Sequence, residues 1–116
     1  MSKFFDFRQN NSGGKFHTDA KRGIGISVII EAEDWRDAND RAEDIGLYFN
    51  GCEDDRDCSC CGDRWYSQSD YDKGDDVPSV YGQDVSSGTY TNSMSWSWGS
   101  SYIHYLDGRI VEVTGT

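Results

Sequence analysis

The chain has 116 residues, 35% of them apolar and 14% aromatic, and carries a formal charge of −10. That length holds one domain with one modest core, and no apolar run approaches the ~20 residues a membrane helix needs. Sixteen acidic residues against five basic ones fall between Glu31 and Asp76 while the remainder is nearly neutral, which disfavours direct contact of that stretch with nucleic-acid phosphates.

Phe4, Phe5 and Phe7 make a short apolar strand that ends at the turn signal Arg8-Gln-Asn-Asn-Ser-Gly-Gly14. A loop follows in which Lys15, His17, Lys21 and Arg22 form the main basic cluster. Over 24–32, Ile24, Ile26, Val28, Ile30 and Ala32 alternate with Gly25, Ser27, Ile29 and Glu31. Two β-branched-rich faces predict an interior strand, antiparallel to the first. Asp34 is then an N-cap, Asp37 an acid in the first turn, and Gly46 a C-terminal stop. Trp35, Ala38, Ala42 and Ile45 recur at helical spacing, so a helix over 34–45 is expected, with Trp35 as its large anchor. Residues 1–50 thus read as strand, strand, helix.

Residues 51–65 hold all four cysteines, and Arg64-Trp65-Tyr66 reads as a short strand leaving that loop. Residues 66–93 are polar, with one weak strand expected around Val77–Tyr81. In 94–116, Met94, Trp96 and Trp98 alternate with serines, which predicts a strand with one aromatic face. The last element is a hairpin over 102–113. Its Asp107-Gly108 pair predicts a two-residue type I′ loop that sets Leu106 opposite Arg109, Tyr105 opposite Ile110 and His104 opposite Val111. The whole is a single α+β domain: a small, mainly antiparallel sheet, one packed helix and a Cys-rich zinc-type loop. With few aliphatic residues, its core is expected to rest on a few large rings.

Cys52, Cys58, Cys60 and Cys61 crowd into ten residues, and Cys58-x-x-Cys61-Gly62 has the form of a zinc knuckle. The N-terminus lacks the apolar segment of a signal peptide, so an intracellular, reducing setting is expected, where clustered thiols bind metal more readily than they form disulfides. Four thiolates would make a closed, structural zinc site. Cys60 and Cys61 are neighbours and strain to share one ion, so three cysteines with His17, His104 or a carboxylate form the alternative set. Catalysis is not indicated: the chain has no GxSxG, HExxH or phosphate-binding glycine loop. Asp70-Tyr-Asp-Lys-Gly-Asp-Asp76 departs from a calcium loop at the required glycine and at the twelfth position.

Asp37, Asp40, Glu43 and Asp44 on the helix, with Glu53, Asp54 and Asp55 in the loop, are candidates for an acidic partner-binding surface, placed where a nucleic-acid-binding protein expects phosphates. The plainer reading is a charged face that confers solubility. His17, Lys21 and Arg22 with Trp96 and Trp98 are candidates for a basic, aromatic pocket that takes a small nucleotide.

Three segments, Phe7–Gly14, Ala38–Phe49 and Asp57–Trp65 (Asp-Cys-Ser-Cys-Cys-Gly-Asp-Arg-Trp), together resemble a family of short uncharacterised proteins from tailed bacteriophages. The resemblance covers about the first 65 residues and carries no established activity. It implies an accessory protein in the cytoplasm of an infected bacterium, one that binds and modulates a host defence or nucleic-acid-handling protein. Sequestration of a small nucleotide signal, or a structural zinc protein with no action on the host, are the alternatives.

Overall fold

β1 (Lys3–Arg8) and β2 (Ser27–Ala32) pair antiparallel, with Phe5 opposite Ile30 and Phe7 opposite Val28. This is a computed structural model, and it describes residues 2–10, 12–14, 16–57, 59, 61–80, 82–90 and 100–115. The chain between the two strands makes one 3-10 turn at Ser12–Gly14, and Ile24 is held by a bridge to Asp19, so the second strand starts later than the alternation from residue 24 implied. Helix α1 runs from Trp35 to Ile45. The Asp34 carboxylate accepts from the Asp37 N–H at 2.9 Å, satisfying a first-turn donor. Gly46 closes the helix at φ 117°, a left-handed conformation that any Cβ would strain.

The remaining strands are β3 (Ser79–Val80), β4 (Gln83–Asp84), β5 (Thr89–Tyr90), β6 (Ser101–His104) and β7 (Ile110–Gly115). Five of the seven strands form one sheet in the order β1-β2-β6-β7-β5, while β3 and β4 make a separate two-stranded ladder. The sheet is mixed, which corrects the expectation of a mainly antiparallel one: β2 runs parallel to β6, and β5 parallel to β7. Each local hairpin is antiparallel, as short connections require. A long crossover containing α1 lies between β2 and β6, and such a connection permits parallel pairing.

β2 is buried on both faces of the sheet, which explains why it is apolar on both sides. On one face Phe5, Phe7, Val28, Ile30 and Ala32 pack with Ala38 and Ala42 of α1, together with Leu47 and Trp65; Trp35 and Ile45 flank this cluster, half-buried. On the other face Phe4, Ile29, Ile103 and Val113 meet Val80 and Val85 from the segment after residue 75. Among the described residues, aliphatic side chains fill most of the core. Of the expected rings, three phenylalanines and Trp65 are buried, whereas Tyr66 and Tyr71 stand exposed.

The C-terminal hairpin differs from expectation by one residue. His104 lies opposite Ile110 and Ile103 opposite Val111. The loop has three residues: the Gly108 N–H donates to the Tyr105 carbonyl, the Tyr105 N–H to the Arg109 carbonyl, and Gly108 sits at φ 96°. This is the type I turn followed by a left-handed glycine. Burial selects it, because the two-residue loop would set Ile103 beside Glu112 and break the apolar row. Arg64 and Trp65 are not a strand either; both are buried at a bend. The strand expected around Met94, Trp96 and Trp98 lies outside the described residues.

Candidate functional site

The acidic excursion after α1 is anchored from within by an ion pair. Asp57 and Arg64 are both buried, and Arg64 Nε lies 3.6 Å from Asp57 Oδ1. The Asp57 carboxylate also accepts from the Tyr48 hydroxyl and from the Arg64 backbone N–H, each at 2.7 Å. Burial, and then this bond to Asp57, pushes the Tyr48 hydroxyl pKa above its ordinary value. Arg64 donates onward to Gln9 Oε1 at 3.0 Å and to the Ser12 carbonyl at 2.7 Å. Gln9 in turn donates to the His17 and Gly25 carbonyls and accepts from the His17 N–H. The Asn10 amide spans the loop's exit, donating to the Cys61 and Asp63 carbonyls at 2.9 and 3.1 Å, while Asp63 accepts from the Cys52 N–H.

The turn after β1, the end of the helical segment and the Asp57–Trp65 run, which are the same segments that carry the family resemblance, thus meet in one buried polar network. Sequence reading passed over Gln9, Asn10, Tyr48, Asp57 and Arg64 because each is individually an ordinary polar residue. Their signal is joint: they fall in the three segments that together carry the resemblance.

Cys52 is half-buried and Cys61 exposed on this anchored loop, while Cys58 and Cys60 lie outside the described residues. Among the described residues no group of three or more His, Cys, Asp or Glu side chains is placed to hold a metal ion. Of the alternative histidine ligands, His104 is committed elsewhere: its Nε2 meets the Gly23 carbonyl at 2.7 Å inside the sheet. His17 is exposed beside Arg64 and Trp65.

The acidic candidates divide into two groups. Asp37 is withdrawn from the surface set: its carboxylate accepts from the Glu33 N–H and from Arg41 Nε, both at 3.0 Å. The Glu33 N–H, with help from Arg41, holds its pKa below the usual carboxylate range. Asp40, Glu43, Asp44, Glu53, Asp54 and Asp55 are all exposed, and their carboxylates have no partner among the described residues. Helical geometry sets Asp40, Glu43 and Asp44 on the side of α1 opposite the buried Ala38 and Ala42. Nearby cations are occupied: Arg36 lies over Trp35, Arg56 over Tyr48, and Arg41 on Asp37.

The basic, aromatic pocket is assembled only in part. His17 and Arg22 line a cavity of about 160 Å³ with Tyr48, Arg64 and Trp65. Lys21 is not among its walls, Arg22 is paired to Asp19 at 3.5 Å, and Trp96 and Trp98 lie outside the described residues. Sites for drug-sized ligands occupy ~300–1,000 Å³, so this cavity is too small for a whole nucleotide.

Asp6 is a charged residue that sequence reading left inside the first apolar run. Its place opposite Ile29 sets it on the second core face, where its Oδ1 is buried with no hydrogen-bond partner among the described residues. Burial lifts its pKa to about 7, Asp75 adding to the rise and Arg8, at 3.9 Å, opposing it. Asp72, Lys73 and Gln68 line the same polar hollow. No helix among the described residues is long and apolar enough to cross a membrane.

No curated protein and no solved structure matches this chain. A family match does, and it is not confined to the first 65 residues: it runs through the C-terminal hairpin as well. The chain belongs to the family described as Domain of unknown function (DUF7296), matched over residues 2–116.

Proposed function

We propose that this protein is a non-catalytic interaction module whose acidic surface binds a basic surface on a partner protein. The observation that carries the reading is the division of its carboxylates. Asp34, Asp37, Asp57 and Asp63 serve internal hydrogen bonds, whereas Asp40, Glu43 and Asp44 stand exposed and unpaired on one side of a helix. Such a field steers association with a cationic partner and repels nucleic acid. The resemblance to phage accessory proteins supports a bacterial host protein as that partner, with a basic site used in defence or nucleic-acid handling.

The test leaves Asp37 in place, because its carboxylate fastens the start of the helix. Asp40→Asn, Glu43→Gln and Asp44→Asn combined should leave the melting temperature within a few degrees. Affinity for a basic partner captured from bacterial lysate should fall at least about tenfold, and the remaining binding should lose much of its salt dependence. Unchanged affinity of the triple variant, or capture of no basic protein, would sink the reading.

A structural zinc on the cysteine loop belongs to the same proposal. It is supported by four thiols in ten residues on a loop that the Asp57–Arg64 pair already holds in place. Elemental analysis of purified protein should find one zinc per chain, and Cys58→Ser with Cys61→Ser should remove it. Because the anchor lies inside the loop, chelation should raise protease sensitivity at 52–63 without global unfolding. Purified protein lacking stoichiometric metal would dispose of the staple.

A further inference from the structure

β7 leaves part of its outer edge open. The Tyr105 N–H donates to the Arg109 carbonyl at the start of the β6–β7 ladder, so Arg109, Val111 and Val113 turn their N–H and C=O groups inward to β6. Ile110, Glu112 and Thr114 turn theirs outward. β5 meets only Thr114 and Gly115, with the Thr114 N–H donating to the Gly88 carbonyl. Gly88 also flanks the Glu112 carbonyl. The Ile110 N–H and C=O and the Glu112 N–H are left over, with no partner among the described residues. Unpaired strand groups are a template for another strand, and no lysine or proline in 110–115 blunts this one.

Ile110 lies opposite His104, beside Ile30, and Glu112 lies opposite Tyr102, beside Val28, so both project on the face that α1 covers. On that face an open cleft of about 480 Å³ is lined by Ile110, Ile45, Asp44 and Arg22. None of these walls comes from an inner strand, which places the cleft along the open edge. Ile110 is 48% exposed and Ile45 half-buried, so uncovered apolar surface adjoins the unpaired backbone. The charges leave an acidic excess. Arg22 is paired to Asp19, whereas Asp44 has no partner among the described residues and Glu112, also exposed, accepts from the Ser100 hydroxyl. A second copy would set Asp44 and Glu112 against a chain of charge −10, so the edge fits a cationic segment instead.

We propose that an extended segment of the basic partner adds to β7 as a further strand, an inference that rests on the acidic-surface reading and specifies how the partner docks. The segment's backbone pairs with Ile110 and the Glu112 N–H. A branched apolar side chain beside Ile110 enters the cleft against Ile45. Two residues away on the same face, a lysine or arginine lies beside Glu112. Asp44 on the rim of the cleft receives a second cation.

The probe is the peptide acetyl-Thr-Lys-Thr-Val-Thr-Lys-Thr-amide, which presents the same face in either strand direction. Its control has proline in place of each threonine, keeping the charge but not the strand. Titrated into the full chain, the probe should saturably slow amide exchange at Ile110 and Glu112 and shift Asp44 and Ile45, while the control does neither. Glu112→Pro removes an outward N–H without touching the ladder to β6, and should weaken binding at least tenfold. Glu112→Ala and Ile110→Thr keep that N–H and should each cost about two- to fivefold. If Glu112→Pro does not fold, the proline peptide carries the same test. Unchanged exchange at Ile110 and Glu112, equal binding of the control, native affinity in Glu112→Pro, or a dimer of the free protein that Glu112→Pro dissolves would each overturn the assignment. A captured basic partner that is lost by the Asp40, Glu43 and Asp44 triple variant but kept by Glu112→Pro would leave the acidic surface standing and remove the added strand.

Discussion

An Arg64→Met substitution is expected to destabilise the protein by about 3–5 kcal/mol, a large part of the ~5–15 kcal/mol a domain of this size possesses. The cost does not come from the strength of the ion pair, since buried pairs barely recover their desolvation. It comes from what remains: Asp57 stays buried without its cation, the Ser12 carbonyl loses a donor, and Gln9 loses one of two donors to its Oε1. Asp57→Asn should cost somewhat less, because the amide keeps the volume, its one oxygen can still accept from the Arg64 N–H, and the Tyr48 hydroxyl can turn to accept from the new NH2. Combining Arg64→Met with Asp57→Leu should recover part of the loss, and the part not recovered reports the contacts with Gln9 and Ser12 together with the Tyr48 and Arg64 N–H bonds that leucine cannot accept. Urea unfolding of the four proteins settles the matter. An Arg64→Met protein within 1 kcal/mol of the parent would mean that the loop is held by something other than this network. The same variant should expose residues 52–63 to proteolysis before the rest of the fold opens, because among the described residues Asn10 and Tyr48 tie the loop to the body through Cys61, Asp63 and Asp57.

The elements legible in the sequence were those fixed by short-range chemistry. Asp34 and Gly46 bracket α1 because an N-cap carboxylate and a left-handed glycine answer local demands, and neither depends on the distant chain. The two-faced apolar run around Val28–Ile30 signalled an interior strand correctly, since only burial on both sides accounts for it. Partner choice was not legible. Nothing local in Tyr102–His104 says that it pairs in parallel with Val28–Ile30, and the turn chemistry of Asp107-Gly108 admits both a two-residue and a three-residue loop. The apolar row Ile103–Val111 discriminates between those loops, because the buried face, not the turn, sets the register. At the candidate site, the free acids on α1 follow directly from helical spacing. The exemption of Asp37 does not, because it requires the Glu33 N–H to turn back on the helix start. The buried network was invisible for a similar reason: Gln9 and Arg64 are 55 residues apart, and only the fold shows that a glutamine in a turn and an arginine in an acidic loop satisfy one another.

Asp6 gives the second large effect, and its sign follows from which state holds the proton. Unfolded, its carboxyl titrates near the ordinary value of about 3.9; folded, burial beside Ile29 lifts the pKa to about 7. Between those values the native state keeps a proton that the unfolded state has released, so stability from this group is fully present below pH ~4. It declines as pH rises and is lost once the folded pKa is passed. The span corresponds to at most ~4 kcal/mol, reduced by whatever water reaches a side chain that is 19% exposed. Asp6→Asn removes the titration while keeping the shape, and its amide presents no charge to the buried Oδ1 position or to Asp75. The variant should therefore match the parent near pH 4 and exceed it by a few kcal/mol at pH 8, with the difference growing through the interval between. Arg8, on the same strand, opposes the rise; Arg8→Gln should steepen the parent's pH dependence and leave that of the Asn variant unchanged. Urea unfolding of all four proteins at each pH separates the two contributions. A parent-minus-variant difference that stays constant from pH 4 to 8 would show that Asp6 is ionised throughout, and that the pocket lined by Gln68, Asp72 and Lys73 solvates it as well as bulk water does.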